Sequence, residues 1–171
     1  MKKTGRKLLT TAALGLFFLS MFYVGRAAAF LTLGEHVNTS QQARCVVIDA
    51  GHGGDDPGKV GINGANEKDI NLQIAMLLKQ YLEASDIRVV MTREDNDGLY
   101  DPSAPNKKVQ DMKNRIALID EVSPALTVSI HQNSYSDGGV CGAQMFYYKS
   151  SEKGKTLAQI LQTVFNESVS R

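Results

Sequence analysis

Two histidines and one glutamate are spaced so that a fold could bring them together around a metal ion. His52 follows the apolar run Cys45-Val46-Val47-Ile48-Asp49-Ala50-Gly51, and His131 follows Leu126-Thr127-Val128-Ser129-Ile130. Glu67 opens a helical segment between them. A β-branched run that ends in His puts an imidazole at the carboxyl edge of a sheet, where α/β folds build their sites. Imidazole and carboxylate suit Zn²⁺, and three protein ligands leave a position for a water whose pKa falls to about 7. Asp49 reads equally well as a carboxylate orienting a ligand His or as a turn-capping residue at a strand end. Residue types alone leave the metal open. A helix macrodipole favours Glu at an N-terminus without any ion, and no local His-x-x-x-His signature is present.

The pattern around these residues alternates between strand and helix. Residues 44–49, 87–92, 125–131 and 142–148 read as strands, the last through Gly-Ala-Gln-Met-Phe-Tyr-Tyr. Residues 67–84 read as a helix with Ile70, Ile74, Leu77, Leu78, Tyr81 and Leu82 at helical spacing. Residues 107–121 give a second, through Val109, Met112, Ile116 and Ile119, ended by Pro124. Residues 156–168 give a third, with Leu157, Ile160, Leu161, Val164 and Phe165 inward. The glycine-rich stretch 50–66 and the Asp/Asn/Pro-rich stretch 94–106 read as loops. This order predicts an α/β fold, a mostly parallel twisted sheet with helices on both faces.

The 171 residues suffice for one domain, but the first 29 have a different character. They hold Lys2, Lys3, Arg6, Lys7 and Arg26, no acid, and a 17-residue uncharged stretch from Leu8 to Val24. Ala27-Ala28-Ala29 follows. This is a secretory signal peptide, or a membrane anchor just long enough to span; both readings stay open. Residues 30–43 form a polar linker in which His36 reads as a solvated side chain. Five of the 19 basic residues and none of the 18 acidic ones lie in the head, which leaves 14 and 18 beyond it, a net −4 with His neutral. That excludes the basic stripe of a nucleic-acid binder, and the basic head fits attachment at the cytoplasmic membrane with the positive end inside. Cys45 and Cys141 make no disulfide framework and read as two buried small apolar residues.

One rival motif competes for the first loop. Gly53-Gly54-Asp55-Asp56-Pro57-Gly58-Lys59-Val60 follows the P-loop pattern up to its last position. Val60 offers no hydroxyl to Mg²⁺, Pro57 lacks an N–H for phosphate, and Asp55 and Asp56 repel it. An exported domain would also lack ATP.

The motifs taken together resemble a known family. Asp49-Ala50-Gly51-His52-Gly53-Gly54, Pro57-Gly58, Glu67-Lys68-Asp69-Ile70, Thr92-Arg93, Arg115 and Ser129-Ile130-His131-Gln132-Asn133 follow one another in the order of zinc-dependent N-acetylmuramoyl-L-alanine amidases of the amidase-3 type. Within them the chain looks most like the CwlD-type enzymes of spore-forming bacteria. The resemblance implies zinc on His52, Glu67 and His131, with Asn133 beside a glycan groove. It implies cleavage of the amide between N-acetylmuramic acid and L-alanine in peptidoglycan, outside the cytoplasmic membrane, in cell-wall or spore-cortex remodelling during sporulation and germination. It also implies departures. Lys59 stands where the family has a small residue and Asp120 where it has Asn. In similar proteins the general-base glutamate lies on a later strand, followed by a last helix, and no segment up to Arg171 matches that strand. Glu167, on the final helix, is a poor substitute. The expectation is therefore residues 44–171 as an amidase catalytic domain lacking its last strand and helix, with low or no turnover. The alternatives are a catalytically silent zinc- and muropeptide-binding remnant, or an exported zinc peptidase that cuts within the stem peptide.

Overall fold

The computed structural model describes residues 20, 21, 23 and 24 and the continuous stretch 44–168. The signal or anchor reading of residues 1–29, the linker 30–43 and His36 lie outside these, apart from the four residues just named. Among the described residues no helix is long and apolar enough to cross a membrane. The described residues fall into two compact units that divide between Gln132 and Asn133.

The first unit is built on three strands: β1 (Cys45–Ala50), β2 (Arg88–Met91) and β3 (Leu126–Ile130). Their order is β2-β1-β3 and both pairings are parallel. Helix α1 (Glu67–Glu83) connects β1 to β2, and α2 (Lys107–Val122) comes between β2 and β3. Strand β1 sits in the middle and is the most apolar, with Cys45, Val47, Ile48 and Ala50 fully buried. A strand covered on both faces reads as a near-continuous apolar run, broken here by Asp49 alone.

Alternation along β1 separates two faces. Val46, Ile48 and Ala50 meet Ala75 of α1 and Met91 of β2, with Leu72, Met76, Leu78 and Leu82 packed around them. The inward stripe of α1 is therefore Glu67, Asn71, Ala75, Leu78 and Leu82. Ile74, Leu77 and Tyr81, expected inward, are exposed. The polar residues at the start of the stripe shift the apparent apolar face by about one position.

The opposite face carries Asp49, and helix α2 comes to it through Arg115. This arginine is buried, and its Nη1 donates to Asp49 Oδ1 at 2.6 Å while its Nε donates to Asp111 Oδ2 at 2.6 Å. Thr92 Oγ1 and Ser129 Oγ, from the ends of the flanking strands, donate to the same Asp49 carboxylate at 2.9 and 2.6 Å. Val109, Met112 and Ile116 stay about half exposed, so α2 turns a charged side chain to the sheet where its periodicity suggested an apolar one. Asn106 accepts from the Val109 N–H and caps the start of α2. Ser123 in the left-handed region ends it ahead of Pro124.

The second unit holds α3 (Glu152–Ser168). Four expectations change here. Residues 142–148 form no strand: Gln162 of α3 takes the Met145 N–H on its Oε1 and donates its Nε2 to the Ala143 carbonyl, so a side chain satisfies the backbone that a neighbouring strand would otherwise pair. The helix also starts four residues early, because Ser151 Oγ accepts the Gly154 N–H and caps it. Ile160 and Val164 are exposed and only Ala158 of this helix is buried, against the inward stripe expected there. Cys45 is buried and Cys141 exposed, both as free thiols, so Cys141 is not the buried residue expected.

Replacing Arg115 by Met strands the half-buried Asp49 charge and is expected to cost about 2–4 kcal/mol in urea unfolding, somewhat below the cost of breaking a fully buried pair. Burial pushes the Asp49 carboxyl up, but hydrogen bonds from Ser129 and Arg115 outweigh it and hold the group below its ordinary 3.8. A depressed carboxylate stabilises the fold above its unfolded pKa and loses that contribution as pH falls through the folded value. The stability gap between the wild type and Asp49→Asn should therefore be constant above about pH 5 and narrow below pH 4.

Candidate metal centre

The site is built at the exit of β1. Gly51 continues the ladder by donating its N–H to Ile130 O at 3.1 Å. The next residue turns sharply: His52 has φ 64°, a conformation that costs an L-residue about 1–2 kcal/mol. Two buried arginines hold this turn. Arg93 Nε and Arg115 Nη1 both donate to Ala50 O at 2.9 Å. Arg93 Nη2 reaches Gly51 O at 3.1 Å, and Arg115 Nη2 reaches His52 O at 2.6 Å. Three successive carbonyls that have left the ladder are thus capped by guanidinium groups, and the backbone has no slack in which to relax.

Glu67 enters from the first turn of α1, its carboxylate buried under the loop. Its Oε2 accepts the Lys59 N–H and its Oε1 the Gln132 N–H, both at 2.9 Å. Burial raises the Glu67 carboxyl, yet these two backbone hydrogen bonds and the neighbouring His52 bring it down to about 2. It is anionic under all ordinary conditions. His52 Nε2 and His131 Nδ1 each lie 3.1 Å from Glu67 Oε1. The two rings sit edge to face, 4.8 Å apart. Ligand atoms of His52, Glu67 and His131 all fall within 4.8 Å of one another, a cluster able to hold a metal ion. Glycines clear the space: a Cβ on Gly51 would collide with the His131 ring, and one on Gly58 would come within 2.6 Å of His52 Cδ2 and 2.8 Å of Glu67 Oε2.

Asp49 and Asn133 are placed differently from these three residues. Asp49 touches neither imidazole; its partners are Arg115, Thr92 and Ser129, and it acts on His52 only through the guanidinium that holds the His52 carbonyl. The carboxylate that meets a histidine of the cluster is Asp56, with Oδ2 3.0 Å from His52 Nδ1. Asn133 belongs to the second unit, where its Nδ2 donates to Gln144 Oε1 at 3.5 Å. Glu167 is an exposed residue of α3 in that unit. Asn71, buried and bonded to Gly51 O, Glu67 Oε1 and the Gln132 side chain, carried no role in the sequence reading. Its signal was there, a polar residue one turn after Glu67 on the stripe that faces the core. The P-loop reading does not survive: Gly53 and Asp56 pair their backbones with each other, and the Lys68 ammonium, not Lys59, crosses the loop to Gly54 O.

A cleft of about 570 Å³ opens beside the cluster, with His52 and His131 on one wall and Tyr100, Lys107, Lys108 and Met112 on the other. The long loop after Arg93 lines it through Tyr100 and is tied down at two points in its first half. Gly54 N–H donates to Asn96 O, and Leu99 N–H to Asp111 Oδ1.

Residues 46–171 match the family described as N-acetylmuramoyl-L-alanine amidase, Amidase_3. The chain belongs to this family. Its similarity to the germination-specific N-acetylmuramoyl-L-alanine amidase of Bacillus subtilis (strain 168) is 33% identity over 122 residues, 70% of this chain and 51% of that protein. With N-acetylmuramoyl-L-alanine amidase AmiC of Escherichia coli O6:H1 it shares 31% identity over 72% of this chain and 27% of that protein. Among solved structures, the CwlD amidase from Clostridioides difficile, in complex with the GerS lipoprotein, superposes with a TM-score of 0.70 at 35% identity, over 72% of this chain and 66% of that one. The catalytic domain of CwlV from Paenibacillus polymyxa superposes with a TM-score of 0.58 at 31% identity, over 70% and 61%. The chain spans about half the length of the first curated relatives it matches. Its α/β architecture, a three-stranded parallel sheet with helices, matches that of solved amidases of this family.

Gly58 and Gly64 both have positive φ, 67° and 79°, but only Gly58 faces the cluster, and nothing lies within 4 Å of a Cβ on Gly64. Gly64→Ala is expected to lose only the backbone cost of about 1–2 kcal/mol. Gly58→Ala should lose more, and the difference between the two urea midpoints measures the crowding around His52 and Glu67. Equal losses would mean that the pocket wall is soft.

Proposed function

We propose that this chain carries the zinc centre of an N-acetylmuramoyl-L-alanine amidase that cuts the amide between N-acetylmuramic acid and L-alanine in peptidoglycan, with His52, Glu67 and His131 as the ligands. The observation that carries this is the convergence of two imidazoles on one buried carboxylate that its hydrogen bonds keep anionic. Two neutral nitrogens and one anionic oxygen are a catalytic zinc set with a position left for water. Bound there, zinc would polarise the scissile carbonyl and make a water acidic enough to attack near neutral pH.

The chain's own residues hold the set in place. Lys59 and Gln132 fix both carboxylate oxygens of Glu67, Asp56 meets the outer nitrogen of His52, and Gly51 leaves the His131 ring its room. The cleft beside the cluster would receive the stem peptide, and its wall of Lys107, Lys108 and Tyr100 offers polar contacts. Action outside the cytoplasmic membrane follows from the substrate and agrees with the basic, apolar head of the sequence. A place in sporulation and germination is supported by the germination-specific relative.

A second reading, a zinc- and muropeptide-binding unit that turns nothing over, is favoured by one observation. The cleft carboxylates are already engaged: Asp49 and Asp111 by Arg115, Asp55 by Lys107, and Asp56 by His52 and Lys108. None of these is placed to serve as the general base, whose loss typically lowers a rate by about 10²–10⁴-fold.

Zinc content and muropeptide release, measured together on the purified protein with purified cell wall, decide between the readings. One zinc per chain with free stem peptides beginning at L-alanine is the expected outcome for the amidase. Zinc without release supports the binding unit, and fragments cut within the stem peptide point to a peptidase. Zinc at about 100 times its dissociation constant should also raise stability by about 2.7 kcal/mol, and Glu67→Gln should abolish that gain. A wild type that takes up no zinc refutes the ligand assignment.

A further inference from the structure

The three ligands are not equally prepared, and the difference lies in Asp56. Its carboxylate divides its work. Oδ1 accepts the Gly58 N–H at 3.1 Å, and Oδ2 faces His52 Nδ1 at 3.0 Å, with Lys108 Nζ 3.2 Å from the same oxygen. The residue is itself fixed by the paired backbone bonds between Gly53 and Asp56, at 3.0 and 3.1 Å. An ionised carboxylate can only accept. Nδ1 meets its carboxylate in hydrogen-bond geometry, whereas Nε2 meets Glu67 Oε1 only as a close contact at 3.1 Å; the tautomer with the proton on Nδ1 leaves the Nε2 lone pair, aimed into the cluster, for a metal.

We propose that Asp56 is a positioning residue that fixes the tautomer and ring orientation of His52 and so raises the metal affinity of the His52–Glu67–His131 cluster. The inference rests on the zinc reading above. Asparagine cannot substitute. Its amide has one accepting oxygen, and Asp56 receives donors on both. Either the Gly58 turn loses its acceptor, or the amide NH₂ faces Nδ1 and drives the imidazole proton to Nε2, where it blocks the metal. His131, by contrast, directs its Nδ1 at Glu67 and is half exposed. The cluster then has a preset half, His52 with Glu67, and a half that closes on the ion. Carboxylate partners of ligand histidines characteristically contribute 10–100-fold in metal affinity.

Zinc affinities of the full chain by chelator competition test this. Asp56→Asn should bind zinc about 10–100-fold more weakly than wild type. Asp55→Asn, which removes the same charge one residue away from a group paired with Lys107, should stay within about twofold. Equal affinities for Asp56→Asn and wild type overturn the inference, and an equal loss in both variants reassigns the effect to net charge. No zinc in wild type instead refutes the metal reading itself. A measurement without a variant covers the case in which Asp56→Asn does not fold. In the ¹⁵N–¹H spectrum of the zinc-loaded wild type, His52 should show its proton on Nδ1 and the metal on Nε2, and the reverse assignment overturns the proposal.

Discussion

Everything at the functional end of this molecule depends on the guanidinium of Arg115. It is buried between the sheet and α2, binds Asp49 and Asp111, and caps the carbonyls of Ala50 and His52. A strand that stops pairing leaves polar groups that must find partners or cost several kcal/mol. Here those partners are two arginines, and Arg93 spends its donors on the carbonyls of Ala50, Gly51, Lys68 and Asp95. The strained turn at His52 is affordable only because the atoms on both sides of it are held. The charge pair with Asp49 is thus less a source of net stability than a means of placing one imidazole.

Helix α1 supplies the complementary constraint. Glu67 and Asn71 lie on the same stripe as Ala75, Leu78 and Leu82, so one rigid element runs from the cluster into the apolar core. Packing of Ala75 against Ile48 and Ala50 fixes how far Glu67 reaches, and the N–H groups of Lys59 and Gln132 keep its carboxylate ionised despite burial. The helix N-terminus adds a favourable field of its own. Burial and charge, which normally oppose each other, coexist because backbone donors replace the lost water.

Much of this was legible in the sequence. The three parallel strands and three helices appear within a few residues of their expected bounds, because β-branched runs and helical apolar spacing are strong local signals. The convergence of His52, Glu67 and His131 was legible too, since each stands at the edge of such a run or helix. What was hidden is chosen by tertiary contact. Asp56 finds His52 only because Gly53 and Gly58 bend the loop back, and no sequence spacing encodes that. Asn71 was masked because it is polar on a buried stripe, the same feature that displaced the predicted face of α1. The run 142–148 has strand composition, but Gln162 satisfies its backbone, and composition cannot tell a strand neighbour from a side chain.

The two faces of β1 carry different cargo: Val46, Ile48 and Ala50 on the side of α1, and Cys45, Val47 and the Asp49 anchor on the other. Because side chains alternate with a period of two, losing a single residue upstream of Asp49 would rotate the strand's whole content by half a turn. Ile48 would then point at Arg115 and Asp49 into the apolar layer under α1. Conservative replacements along this strand change a packing energy, whereas a one-codon deletion exchanges the two faces. The six residues of β1 therefore tolerate variation in kind far better than variation in number.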